Sequence, residues 1–310
     1  MTLPPLLRDR LSLPLIGSPM FIISQPDLVI AQCRSGIVGA FPSLNARPVG
    51  MFESWLQQLG ETLGESDAPF AVNLIVHRTN SRLEEDLALC VRYRVPIVIT
   101  SLGAREDVND AIHSYGGIVL HDVINNVFAR KAVEKGADGL IAVAAGAGGH
   151  AGTLSPFALI QEIRAWFDGP LALSGSIATG RAIAAARMMG ADLGYMGTPF
   201  IATEEANAQA AYKQMIVDGS AQDIVYSDVF TGVLGNYLRP SIVAAGLDPN
   251  ALPKAKDMDF ASLTGGEKKA WRDVWGAGQG IGAIAKVQPA ADFIAGLKAD
   301  YRAAVEGFTA

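Results

Sequence analysis

Cysteine and charge are scarce in this chain of 310 residues, and long uninterrupted apolar runs are missing. Its two cysteines, Cys33 and Cys90, lie far apart in helix-like segments, which argues against a disulfide, a zinc site or a redox CxxC pair. Charged residues make up 18% of the chain, and the net charge is −6 without any cluster of lysine or arginine. This pattern argues against nucleic-acid or anionic-membrane binding, since both require clustered positive charge.

The apolar pattern also disfavours membrane insertion and export. No apolar stretch approaches the about 20 residues that a transmembrane helix needs. The first apolar segment is interrupted by Pro14, Gly17 and Pro19, and no small-residue cleavage site follows it, so a signal peptide is not predicted. We therefore expect a cytoplasmic protein whose first apolar segment forms a strand.

The chain does have short apolar runs that alternate with longer helix-like segments. Apolar runs of this kind are typical of a parallel sheet covered on both faces. There are eight of them, the number that closes a TIM (β/α)8 barrel, and an open doubly wound sheet is the alternative. The predicted strands are 14–22, 36–41, 70–76, 96–100, 117–123, 139–145, 170–175 and 193–200.

The pattern changes near residue 222. We expect residues 1–222 to form the barrel, and residues 223–310 to form an irregular and helical C-terminal cap that belongs to the same catalytic unit. Within this tail Phe293, Leu297 and Tyr301 recur at helical spacing, which predicts a final helix docked on the barrel.

Three of the four histidines fall where the predicted strands end. TIM-barrel enzymes carry their active sites at this end, where His77, His121 and His150 lie, while His113 sits in a helix-like segment. His150 stands in a loop with four glycines, residues 145–152, and glycines let a backbone approach a ligand closely. Histidine exchanges protons near neutral pH, so His150 is predicted to act in catalysis or ligand binding. For the other two, hydrogen bonds to neighbouring loops are the alternative.

A metal hydrolase is an alternative reading of the same histidines. His77, His121 and His150 could bind a metal ion with Asp122 as a fourth ligand, and such a protein would be colourless and sensitive to chelators. However, no HxH or HExxH pair places two ligands on one element. The sequence therefore does not predict a metal.

Glycine and hydroxyl residues follow the last two predicted strands. Gly175 and Ser176 lie after the seventh, and Gly197 and Thr198 after the eighth. Barrels often bind phosphate at these two loops, through backbone N–H groups and a helix N-terminus. A phosphate-bearing ligand is therefore predicted there.

Two glycine-rich segments imitate a dinucleotide fingerprint. Gly146, Gly148 and Ala151 match GxGxxA, with Asp168 about twenty residues later. Five predicted strands precede this match, whereas the fingerprint belongs to an early βαβ unit. The second match, residues 276–282, follows no predicted strand, so neither indicates a Rossmann fold.

Together these motifs resemble the nitronate monooxygenases, formerly grouped as 2-nitropropane dioxygenases, which are FMN-dependent TIM barrels. The resemblance covers about residues 14–300, and AGGH is its most specific part. In chain order the matching motifs are PMFIIS (19–24), FAVN (70–73), AGGHAG (147–152), SGSIATG (174–180), MGTPFIAT (196–203) and GAGQGIGAI (276–284).

The resemblance implies a role for each matching residue. His150 corresponds to the active-site histidine, which takes the α-proton of a neutral nitroalkane. The residues implied to contact FMN lie along the ring, around its phosphate and in the tail; they are Ser18, Pro19, Met20, Asn73, Asp122, Gly148, Ser174, Gly175, Ser176, Gly197, Thr198 and Gln279.

Three positions depart from the family pattern. This chain has Asp122 where many relatives have Gln or Lys, Gly146 where many have Glu, and Ser176 in place of a second glycine. A carboxylate near the flavin would disfavour a negatively charged reduced ring. The departures leave the flavin expected but the substrate open.

The resemblance implies oxidation of alkyl nitronates or nitroalkanes by dioxygen, which gives a carbonyl compound and nitrite. The alternative on the same barrel is an FMN enzyme that uses NAD(P)H to reduce quinones or enoyl thioesters. Both have small-molecule substrates and need no nucleic acid or membrane. Whether the protein forms a homodimer is left open.

Overall fold

Eight parallel strands form the centre of the computed structural model, which describes residues 3–48, 50–252 and 273–309. A short strand outside this sheet, β7, spans Gly149–His150. The eight strands of the central sheet are β1 (Leu15–Gly17), β2 (Gly39–Pro42), β3 (Phe70–Ile75), β4 (Ile97–Ser101), β5 (Ile118–Val123), β6 (Gly139–Val143), β8 (Leu171–Ser174) and β9 (Leu193–Met196).

The sheet closes on itself. On one side β1 pairs with β9, with Gly17 opposite Met196. On the other side Ile16 bridges to Val38, just before β2, and the Gly17 N–H donates to the Val38 carbonyl at 2.7 Å. This closure confirms the predicted TIM barrel, and the open-sheet alternative is wrong.

Helices follow the strands and cover the barrel, as the repeated βα pattern predicts. They are α1 (Pro5–Arg8), α2 (Pro26–Arg34), α3 (Met51–Thr62), α4 (Leu83–Arg92), α5 (Glu106–His113), α6 (Asn126–Glu134), α7 (Pro156–Arg164), α8 (Gly180–Met188), α9 (Thr198–Ile201), α10 (Ala210–Asp218), α11 (Arg239–Ala244) and α12 (Ala290–Thr309).

The barrel interior is a packed apolar core. Inward side chains of all eight strands form one cluster, which includes Ile16, Ile99, Ile141 and Leu193. Leu7 of α1 is completely buried in the same cluster. The core therefore fills the barrel, and the space for a ligand lies beyond the carboxyl ends of the strands.

The repeated Gly-Ala-Asp sequence makes the same connection twice. Gly136 and Gly190 have φ of +90° and +109°, the left-handed conformation that ends α6 and α8. Two residues later, Asp138 and Asp192 each accept a backbone N–H from the neighbouring strand, β5 or β8, at 2.7 and 2.9 Å. The repeat thus ends a helix and joins the start of the next strand to the strand beside it in the sheet.

The tail adds a hairpin that the sequence did not predict. Strands β10 (Ile224–Ser227) and β11 (Gly235–Leu238) pair antiparallel, and β11 also pairs with β7. The predicted final helix is present as α12, which packs against α8 and α2. The stretch 253–272 of the tail lies outside the described residues.

Two strand predictions were too long. The first strand ends at Gly17, before Pro19, rather than at residue 22, and β9 ends at Met196 rather than at residue 200. Pro199 stands in the first turn of α9, where proline is tolerated because that N–H has no helical acceptor. A proline cannot donate to a strand ladder, which explains the second error.

The cysteines and the helix lengths agree with the sequence-based expectations. Cys33 and Cys90 are buried and free, and burial raises the pKa of both thiols, that of Cys33 to about 12. Neither is therefore a thiolate at neutral pH. No helix in the described part of the chain is long and apolar enough to cross a membrane. The cytoplasmic location stays a prediction.

The contact between α8 and α12 leaves no room for a side chain at Gly180. A Cβ there would lie 2.3 Å from both the Leu297 carbonyl oxygen and the Tyr301 nitrogen. Because both atoms belong to backbone, we expect Gly180→Ala to destabilise the fold by about 1–3 kcal/mol. The control is Gly296→Ala on the open face of α12, where no atom lies within 4 Å and a gain of about 0.5–1 kcal/mol is expected. Thermal unfolding measures both, and equal stability of the two variants would contradict this packing.

Candidate active site

A cavity of about 1330 Å³ opens at the carboxyl ends of the barrel strands. This exceeds the about 300–1,000 Å³ of ordinary small-molecule sites. Of the residues predicted to contact the cofactor, Gln279 does not line the cavity, although its neighbours Gly278 and Gly280 do. The backbone N–H of Gln279 donates to the Gly146 carbonyl at 2.9 Å. The predicted residues that line the cavity are Ser18, Pro19, Met20, Asn73, Asp122, Gly148, His150, Ser174, Gly175, Ser176, Gly197 and Thr198.

Barrel closure brings the first and last strand ends together. The Ser18 N–H donates to the Met196 carbonyl at 2.8 Å. A Cβ on Gly197 would lie 3.3 Å from the Ser18 Cβ and 3.4 Å from the Met20 sulfur. Segments that are far apart in sequence therefore form one wall of the cavity.

The turn after β8 has positive φ at two successive residues that line the cavity. Gly175 and Ser176 have φ of +131° and +58°, and a Cβ on Gly175 would lie 2.7 Å from the Ala145 carbonyl oxygen. In the neighbouring loop Thr198 Oγ1 accepts the Gly278 N–H at 2.8 Å, which fastens the tail to the barrel. We call the loop after β8, with Gly175 and Ser176, and the loop after β9, with Gly197 and Thr198, the glycine-hydroxyl loops. Both line the same cavity.

Two of the departures from the family pattern lie against each other. Gly146 has φ of +83°, and a Cβ on it would lie 2.3 Å from Ser176 Oγ and 3.0 Å from Gln279 Oε1. A larger residue at position 146 would therefore collide with the Ser176 hydroxyl. The glycine at position 146 thus leaves room for the Ser176 hydroxyl.

A directed chain of hydrogen bonds leads from β3 to Asp122. Asn73 Nδ2 donates to the Ile99 carbonyl at 3.0 Å and to Ser101 Oγ at 2.8 Å. The Ser101 hydroxyl therefore uses its single proton toward Asp122 Oδ2, at 2.6 Å. Asp122 Oδ1 is buried without a partner among the described residues. An unsatisfied buried oxygen of this kind is suited to contact a bound ligand.

Burial raises the pKa of Asp122 to about 6, although the Ser101 hydrogen bond opposes the shift. Because this pKa is higher in the folded than in the unfolded protein, the buried carboxyl destabilises the fold as the pH rises from the unfolded-state pKa of the group toward 6. We therefore expect Asp122→Asn to raise the unfolding free energy by on the order of 1–3 kcal/mol at about pH 8 and by little at about pH 4. Thermal unfolding of the flavin-free protein at the two pH values tests this, and the same gain at both would show that the carboxylate charge is not the cause.

His150 is held in place by the tail hairpin. It is the second residue of β7 and pairs with Gly235 of β11. A Cβ on Gly235 would lie 2.9 Å from the Gly149 carbonyl oxygen, so the two strands pack closely there. Its Nε2 lies 2.9 Å from Thr231 Oγ1. Burial lowers the pKa of His150 to about 4, so the imidazole is neutral at neutral pH and can accept a proton.

The other histidines differ from His150 in their surroundings. His121 lines the cavity but is buried in β5, with Nδ1 2.6 Å from Thr100 Oγ1, and burial lowers its pKa to about 4. His77 also lines the cavity, with Nδ1 2.9 Å from Thr79 Oγ1. His113 lies outside it, at the end of α5. The predicted placement of three histidines at one face is thus confirmed.

The three cavity histidines do not come together as metal ligands. In the parts of the chain that the structure describes, no group of three His, Cys, Asp or Glu side chains could hold a metal ion. The geometry gives no support to the metal hydrolase alternative.

Sequence reasoning missed two residues that organise the site. Ser101 connects Asn73 to Asp122, and its position as the last residue of β4 was a signal that could have revealed it. Thr231 contacts His150 from 81 residues away. No local pattern marks it, because its role depends on how the hairpin folds back over the barrel.

A sequence model of one family, described as nitronate monooxygenase, matches residues 78–300. The chain belongs to the nitronate monooxygenase family. A curated relative of that name from Paraburkholderia phytofirmans is 26% identical, and the alignment covers 94% of this chain and 93% of the relative. Membership identifies the chain as an oxidoreductase of the class that oxidises nitronates with a flavin.

Solved structures of low sequence identity share the fold. The nitroalkane oxidase from Streptomyces ansochromogenes superposes with a TM-score of 0.85 at 24% identity and covers 97% of this chain and 99% of its own. The enoyl reductase domain of MlnA from Bacillus amyloliquefaciens reaches a TM-score of 0.74 at 14% identity, with 97% of both chains covered. The same barrel thus serves proteins described by two different reactions.

The cavity of this family member fits a flavin nucleotide. The loops after β8 and β9 present glycine backbone without side chains, which suits a phosphate. Asp122 Oδ1 supplies a buried polar atom without a described partner, and Met20 and Val143 supply apolar lining. These features suit a ligand with a flat polar ring system and a phosphate group.

Proposed function

We propose that this protein is an FMN-dependent nitronate monooxygenase that oxidises alkyl nitronates and nitroalkanes with dioxygen to a carbonyl compound and nitrite. The observation that carries the proposal is His150, a neutral imidazole at the wall of a cavity with two glycine-hydroxyl loops. Family membership supports the reaction class. The finer assignments to FMN, to dioxygen and to His150 are part of the proposal.

The proposed binding mode divides the cavity between phosphate and ring. The phosphate would be held by the loops after β8 and β9, and the ring would lie along residues 18–20, Asn73, Asp122 and Gly148, with Gln279 approaching from the tail. The pairing of β11 with β7 and the hydrogen bond between Gly278 and Thr198 support the proposal that residues 223–310 belong to the same catalytic unit as the barrel.

The protein's own contribution is position, shelter and one proton transfer. Bound FMN would supply electron transfer and the reaction with dioxygen. Thr231 Oγ1 lies 3.1 Å from the Val233 carbonyl. The Thr231 hydroxyl donates to that carbonyl and can accept the His150 Nε2–H, which would hold the imidazole in one orientation. The neutral imidazole would take the α-proton of a neutral nitroalkane. A nitronate has already lost this proton and needs only a hydrogen bond from the site.

The second candidate is an FMN-dependent NAD(P)H reductase of quinones or enoyl thioesters. It is favoured by the shared fold with an enoyl reductase domain and by a cavity large enough for more than the cofactor. It differs in its electron donor, which would be a nicotinamide rather than a nitronate.

Steady-state product analysis separates the two candidates. The flavin-loaded enzyme is mixed in air with an alkyl nitronate, and nitrite, carbonyl product and oxygen uptake are measured. Nitrite and carbonyl compound formed in equal amounts support the proposal. Rapid consumption of NADH or NADPH with a quinone or enoyl thioester, without nitrite from any nitronate, would establish the second candidate instead.

A further inference from the structure

Large apolar side chains are exposed around the mouth of the cavity. Ile124, Phe128, Tyr226 and Leu234 are 40%, 49%, 39% and 43% exposed, and all four line the cavity. Isolated exposed apolar residues are normal on soluble proteins, but a contiguous group marks a binding surface. We call these four residues the apolar rim.

Two separate parts of the chain form the apolar rim. Ile124 follows β5 and Phe128 lies in the first turn of α6, while Tyr226 and Leu234 come from the tail hairpin. The loop after β7 joins the two sides, because Ala151 donates its N–H to the Leu234 carbonyl at 3.2 Å and accepts from the Tyr226 hydroxyl at 2.8 Å. The fold therefore fixes these side chains around one opening.

One end of the apolar rim lies next to His150, the proposed base. Leu234 directly precedes Gly235, the residue that pairs with His150. On the opposite side, a Cβ on Gly152 would lie 3.1 Å from the Ile124 Cβ, so this loop is pressed against the rim. Apolar surface thus runs outward from the proposed site of proton transfer.

Further exposed apolar side chains lie on the two helices that follow β5 and β7. They are Val127 on the first turn of α6, Leu154 in the loop before α7 and Phe157 on the first turn of α7. The apolar rim itself lines the cavity, and an apolar rim at a reaction cavity suits a flexible chain attached to the reacting group.

We propose that the substrate of this enzyme carries an extended alkyl chain, which lies along the apolar rim while its reacting carbon is at His150. The inference rests on the proposed function and adds the substrate class. A protein partner or a second copy seated on the rim would close the mouth through which substrate must enter. A small molecule with an alkyl chain covers the same surface and enters the cavity at the same time.

The dependence of kcat/KM on chain length tests this inference. The substrates are the nitronates of nitroethane, nitrobutane, nitrohexane and nitrooctane, used with the flavin-loaded enzyme. Each methylene buried on the rim should raise kcat/KM about three- to fourfold, because burial of one CH₂ has a nearly constant free energy. The increase should level off once the chain extends past the rim.

A matched pair of variants locates the effect. Phe128→Ser removes an aromatic ring from the rim and should reduce the rise per methylene. Phe308→Ser removes one from α12, where the side chain is 78% exposed and does not line the cavity, and should leave the rise as in the wild type. Equal slopes in all three proteins would overturn the proposed path.

The remaining outcomes separate this inference from the proposed function. If nitronates are oxidised at rates that do not depend on chain length, the inference is wrong and the proposed function stands. If no nitronate is oxidised, calorimetric binding of straight-chain carboxylates still tests the rim, with the same gain per methylene expected. Loss of self-association in Phe128→Ser, without any chain-length effect, would show that the rim is an interface between two copies and overturn the inference.

Discussion

Replacing His150 with asparagine is expected to lower kcat/KM for a neutral nitroalkane by about 10²–10⁴-fold, the usual contribution of a general base. The nitronate of the same compound should lose much less, because its α-proton is already gone. Asparagine can still donate a hydrogen bond but cannot take the proton. Initial rates with the paired substrates, nitroethane and its nitronate, measure the difference directly.

The pH dependence and a second histidine provide controls. Because burial lowers the pKa of His150 to about 4, protonation of His150 should not reduce kcat/KM for the nitroalkane between about pH 8 and about pH 5. This profile is measured in the Asp122→Asn background, because the pKa of Asp122 is about 6 and falls in the same range. His77→Asn changes another cavity histidine, one bonded to Thr79, and should have little effect. An equal loss on nitroalkane and nitronate in His150→Asn would remove the base role.

Replacing Gly175 with alanine is expected to weaken flavin binding by about 10–100-fold. The reason is backbone strain of about 1–3 kcal/mol at this position, which corresponds to a change in Kd of about that size. Two features exclude a side chain at this position. The φ of +131° lies in a region that favours glycine, and a Cβ would lie 2.7 Å from the Ala145 carbonyl oxygen. The turn must therefore shift, and its N–H groups shift with it. Titration of the flavin-free protein with FMN gives the change in Kd.

The adjacent residue offers a matched control. Ser176 has φ of +58°, a conformation that glycine adopts without cost. Ser176→Gly should therefore keep the turn in place and weaken FMN binding less than Gly175→Ala does, because only the contribution of the Ser176 hydroxyl is lost. If Gly175→Ala also binds FMN as tightly as the wild type, the phosphate is not held at this turn.

The barrel was predictable because buried parallel strands are continuous apolar runs. Such runs mark β3 and β4 within one residue of their observed ends, 70–75 and 97–101. The Gly-Ala-Asp repeat likewise identifies helix ends, since the left-handed conformation at Gly136 and Gly190 is a local property. The strand count favoured a closed barrel, but it left an open doubly wound sheet as the alternative.

Contacts across the tail were not predictable in this way. The hairpin strands β10 and β11 are four residues each, and their stability comes from pairing with each other and with β7 rather than from their own sequence. The contact between Thr231 and His150 spans 81 residues. Local patterns carry no information about such a pairing, so the sequence marked His150 as a candidate but not Thr231, which holds it.

The most direct test of the proposed function is the anaerobic visible spectrum of the purified, flavin-loaded protein before and after addition of a small alkyl nitronate. We expect an oxidised flavin spectrum that loses its absorbance when the nitronate is added, because electrons pass from the nitronate to the flavin. An unchanged flavin spectrum, in protein shown to be folded and to retain its cofactor, would contradict nitronate oxidation.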